Sequence, residues 1–72
     1  MELTNDEKRV ILESHIKNAL TNIYNLHISL LAEQGKENPS SDIVNSLTEQ
    51  KNGEESKRNV LLQELETLNN EQ

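Results

Sequence analysis

The side chains able to do chemistry are few. His15 and His27 stand twelve residues apart, and the chain has no cysteine. On a helix that spacing separates the imidazoles by about 18 Å along the axis, too far for one metal ion within a chain. Ser14 directly precedes His15, but adjacent helical side chains diverge by ~100°, so the two are no nucleophile and base. Glu54-Glu55 and Glu64/Glu66 diverge likewise and share no proton. Gly35 and Gly53 are the only glycines, too few for a loop that cradles phosphate. No catalytic, metal or cofactor-binding set follows, and no enzyme activity or cofactor is expected.

His27 is the one side chain among these with an unusual setting. It lies one turn from both Ile23 and Leu31 on an apolar stripe, which predicts a buried neutral imidazole holding one hydrogen bond. The competing role is a pH or metal switch centred on that ring.

The element that carries both histidines is read from the spacing of apolar residues. Leu12, Ile16, Ala19, Ile23, Leu26 and Leu30 recur at intervals of 4, 3, 4, 3 and 4, an unbroken heptad seam. At 100° per residue, Leu20, Tyr24, His27 and Leu31 fall beside it and widen the apolar face to about 160°. Asn18, Thr21, Asn22, Asn25 and Ser29 occupy the opposite, solvated side. Thr4 and Glu7 have capping-box spacing, and Gly35 suits the left-handed position past a helix end. A helix over 5–34 is predicted, about 45 Å long.

Residues 35–38 form the expected loop. Asn38 as N-cap with Pro39 in the first helical position opens a second helix over 39–69, with Asp42 near its positive end. Its apolar residues fall in two clusters, Ile43, Val44 and Leu47, then Val60, Leu61, Leu62, Leu65 and Leu68. Residues 48–59 between them are polar throughout. The heptad phase nevertheless runs from Val44 through Lys51, Glu54 and Arg58 to Leu68, as one long helix requires. Asn52-Gly53, a frequent turn dipeptide, is the alternative breakpoint and would make three helices.

The fold class is therefore all-α, an antiparallel two-helix hairpin of coiled-coil character. Folded about the short loop, it pairs Leu30 with Ile43, Leu26 with Leu47 and Leu12 with Leu61. Ile23, Ala19 and Ile16 would then face Lys51, Glu54 and Arg58. Either the long polar side chains lay their stems across the seam, or the middle of the first helix packs on something else. The wide apolar face favours the second, with a second copy completing a four-helix bundle.

Size points the same way. Seventy-two residues make one small domain, 1–72, and so short a chain buries only about 60% of its unfolded surface. Disulfides are excluded, which leaves a partner subunit as the remedy. Thirteen acids against seven bases give a net charge of −6, so binding to nucleic acid or to anionic lipid is not expected. No apolar run exceeds three residues, against ~20 for a membrane span. The opening MELTNDEKRV has no apolar leader core, which makes the cytoplasm the expected compartment.

The functional expectation is a small non-catalytic protein-binding module, such as an adaptor, regulator or inhibitor. Its expected interface is Ile16, Ala19, Leu20, Ile23, Tyr24, His27 and Leu31, with Tyr24 as the anchor because aromatics dominate interface energetics. The competing expectations are a structural subunit of a larger assembly and the switch at His27.

Overall fold

The computed structural model describes residues 2–71, and Met1 and Gln72 lie outside the described residues. Two helices of thirty residues, α1 (Asn5–Gln34) and α2 (Ser41–Asn70), pack against each other as a hairpin. Among the described residues there is no strand. The molecule measures 55 × 18 × 14 Å, one helix length by roughly two helix diameters by one.

The start of α1 follows from its sequence. The Glu7 amide donates to Thr4 Oγ1 at 3.1 Å, and the Thr4 amide donates to Glu7 Oε1 at 2.9 Å. Two of the amides that a helix start leaves unpaired are thus satisfied reciprocally.

Its end departs from expectation. Gly35 has φ −79° and ψ −7°, the right-handed region, and its amide donates to the Leu31 carbonyl at 3.0 Å. The turn simply tightens, with the Lys36 amide reaching the Glu33 carbonyl at 3.3 Å. A Cβ at position 35 would lie 3.3 Å from the Leu31 oxygen. Glycine here relieves crowding and supplies no left-handed backbone.

The second helix also begins two residues later than predicted. Ser40, not Asn38, is the N-cap, and its Oγ accepts from the Ile43 amide at 3.3 Å. The reason lies in α1. The Glu33 carboxylate accepts the Ser40 amide at 3.0 Å through Oε2 and the Lys36 ammonium at 2.9 Å through Oε1. That clasp fixes Ser40 in the extended conformation a cap requires, so Pro39 belongs to the connection.

Beyond Ser40 the helix runs unbroken through Asn52-Gly53, which overturns the three-helix alternative. Val44, Leu47, Lys51, Glu54, Arg58, Leu61 and Leu65 are all half-buried, and Leu68 is buried. This row is the heptad phase read from the sequence, and its packing on α1 outweighs the turn preference of one dipeptide.

The register differs from the expected one. Asn22 Nδ2 donates to Glu54 Oε2 at 3.4 Å, and Arg9 Nε donates to Asn69 Oδ1 at 2.9 Å. Each partner lies about one turn further along α2 than the short loop implied. The longer connection accounts for part of this by moving the fold point towards the C-terminus. The shift also changes the middle of the hairpin. Ile16 and Ala19, expected to face bare charge, are buried, with Leu62 and Leu65 lining the groove beside Ile16. Lys51, Glu54 and Arg58 are half-buried, so their stems lie along the seam while their charged ends reach water.

Candidate protein interface

The seven residues expected to form an interface divide into two groups. Ile16, Ala19 and Ile23 belong to the seam. Ala19 is 0% exposed, Ile16 is buried, and Ile23 is half-buried. These three residues are covered by the chain itself.

Leu20, Tyr24, His27 and Leu31 are exposed on one flank of α1. Leu20 is 47% exposed, Tyr24 64% and Leu31 52%. They lie about 100° around the helix from the seam, so α2 covers the seam and leaves them to solvent. Ile28, absent from the expected set, is also exposed. Its angular position beside Tyr24 was legible in the sequence, but it lies outside the heptad series that selected the others.

One expectation about the histidines changes. His27 is exposed, not buried, because the seam turns past it. Its ring instead lies beside that of Tyr24, with centroids 6.3 Å apart and planes tilted by 39°. His15 is exposed on the other flank, where it joins Ile11, Leu12 and Leu68 around a shallow groove of about 210 Å³. Among the described residues no three histidine, cysteine or carboxylate side chains are grouped to hold a metal ion.

The flank continues from α1 across to α2. Val10, Leu20, Leu62 and Leu65 line one groove together with Glu13 and Lys17. The opposite side carries a groove lined by Asn22, Asn25, Leu26, Gln50, Gly53 and Glu54. Both long sides thus expose apolar side chains, and the second also gathers the amides of Asn22, Asn25 and Gln50. Asn18, Thr21, Asn22, Asn25 and Ser29 are all exposed, as their positions predicted.

Sequence reasoning missed Glu33. It is the one buried charged side chain among the described residues, at 6% exposure. The Ser40 amide, then the Lys36 ammonium, hold its carboxyl below the ordinary glutamate range. An acid in the last turn of a helix opposes the helix dipole, so composition and propensity gave no reason to single it out. Glu7 is lowered in the same direction by the Thr4 backbone and hydroxyl.

Among the described residues no helix is long and apolar enough to cross a membrane. Comparison with protein-family models, with curated proteins and with solved structures yields no match for this chain.

Proposed function

We propose that this chain is a small non-catalytic protein-binding module that works by laying the apolar flank of α1 on a partner's surface. The observation carrying this reading is the exposure of Leu20, Tyr24, Ile28 and Leu31 along one side of a helix whose seam is already filled. Four large apolar side chains in one stripe exceed the scattered exposure that needs no explanation. Tyr24 is the anchor, since a tyrosine contributes broad contact area and a polar tip at little entropic cost. A regulator or adaptor of this type needs no pocket, and its partner completes the helical bundle, a second copy making it four-helical.

The test is photocrosslinking in the native cell. With p-benzoylphenylalanine in place of Tyr24, a discrete adduct is expected, and the same probe at Asn18 on the solvated side yields none. Equal yields at the two positions, or no adduct from position 24, would reject the reading.

A further inference from the structure

The order of residues along the exposed flank narrows the partner, given that the flank binds protein at all. Val10, Glu13, Lys17, Leu20, Tyr24, His27 and Leu31 follow one another at intervals of 3, 4, 3, 4, 3 and 4 and are all exposed. They form a second heptad stripe beside the seam. The stripe reads as its own complement when reversed about Leu20. Lys17 and Tyr24 lie three and four residues to either side, a cation and an aromatic face. Glu13 and His27 lie seven residues to either side, a carboxylate and an imidazole. Val10 and Leu31 lie ten and eleven residues away, and both are apolar.

We propose that this flank docks on the same flank of a second copy, antiparallel, about a two-fold axis at Leu20. Each layer then occurs twice, as an isologous contact demands. Leu20 meets Leu20, Lys17 meets Tyr24, Glu13 meets His27, and Val10 meets Leu31.

The second helix supports the same axis. The Asn22–Glu54 contact sets the level of α2 beside Leu20 at about residue 56. There Glu55 and Arg58 are both half-buried and lie to either side of that level. An antiparallel pairing of the two α2 helices about this axis brings each Glu55 to the partner's Arg58. Among the described residues of the single chain the Arg58 guanidinium bonds only to the side-chain oxygen of its neighbour Asn59, at 3.1 and 3.3 Å. Among the described residues Glu13, Lys17, Glu55 and Arg58 are in no ion pair. These two acids and two bases balance one another, although the chain as a whole carries −6. In the pairing none of these four faces a like charge.

Area also fits a second copy. The chain exposes 5483 Å², whereas a compact monomer of 8.2 kDa exposes about 4500 Å². That excess, spread over the elongated rod, is on the order of the ~800 Å² that each partner contributes to a stable interface.

Sedimentation equilibrium on the full chain tests this. A dimer is expected at about 100 μM, and Leu20→Asp should give a monomer of unchanged helicity. Glu13→Arg sets Arg against His27 twice per dimer, and His27→Glu sets Glu against Glu13 twice. Each variant alone should dimerise at least about tenfold more weakly. Mixed together, the two chains should form a heterodimer with both layers restored. A monomeric wild type, or a mixture no stronger than its components, overturns the proposal. If the isolated chain is monomeric while the position-24 crosslinker captures a different protein, self-pairing fails and the docking role survives. A monomer with no crosslink removes both.

Discussion

At the scale of single residues, Glu33 ties the two helices at their shared end. Its folded carboxyl binds a proton less readily than an ordinary glutamate, as does that of Glu7. Such groups stabilise the folded state fully above the usual glutamate range, ~4.3. As the pH falls below that range the unfolded chain takes up more protons, and the contribution is lost. Thermal melts followed by circular dichroism should therefore show a midpoint that is level near neutrality and declines in acid. Glu33→Gln removes the charge-assisted contact to Lys36 and weakens the bond from Ser40. It should lower the midpoint at pH 7 and flatten the acid decline. An unchanged profile would mean that the clasp contributes nothing. The sequence hid this residue because its partners, Ser40 and Lys36, are brought to it only by the turn that it helps to form.

At the scale of elements, the boundaries and seam of α1 were readable from the capping box and the heptads. The path of α2 was readable only in part. Its polar stretch kept phase, yet Asn52-Gly53 argued locally for a turn, and nothing local to that dipeptide reveals how firmly Val44, Leu61 and Leu68 grip α1. A glycine inside a helix costs about 1 kcal/mol relative to alanine. Beyond its chain neighbours and the local helix backbone, no atom lies within 4 Å of where a Cβ on Gly53 would point. Gly53→Ala should accordingly stabilise the protein by about 1 kcal/mol in urea titration. A chain that turned at this position would lose stability instead. The register, by contrast, was not legible. It depends on the length of the connection, and that length is set by the clasp on Ser40 and not by Pro39. His27 illustrates the same limit for the interface: apolar neighbours one turn away on the same strip suggested burial, but the second helix covers only the seam.

At the scale of the whole molecule, the radius of gyration of 16.5 Å exceeds the ~11 Å of a compact chain of this length. The hairpin is a rod whose α1 flank exposes Leu20, Tyr24, Ile28 and Leu31, so whatever caps that flank changes the shape as well as the stability. The contacts between its arms are nested. The innermost links residues 7 apart, Glu33 and Ser40; the next, 32 apart, is Asn22 to Glu54; the outermost, 60 apart, is Arg9 to Asn69. Because closing a short loop forfeits less chain entropy than closing a long one, assembly is expected to start at the bend and run outward like a zip. In stopped-flow chevrons, Glu33→Gln should then slow folding, while Asn69→Ala should mainly hasten unfolding. The opposite assignment would place the first-formed contacts at the far tip. Pulled apart by its two ends, such a rod would open from its weakest and last-formed link, peeling one turn at a time until only the bend still held.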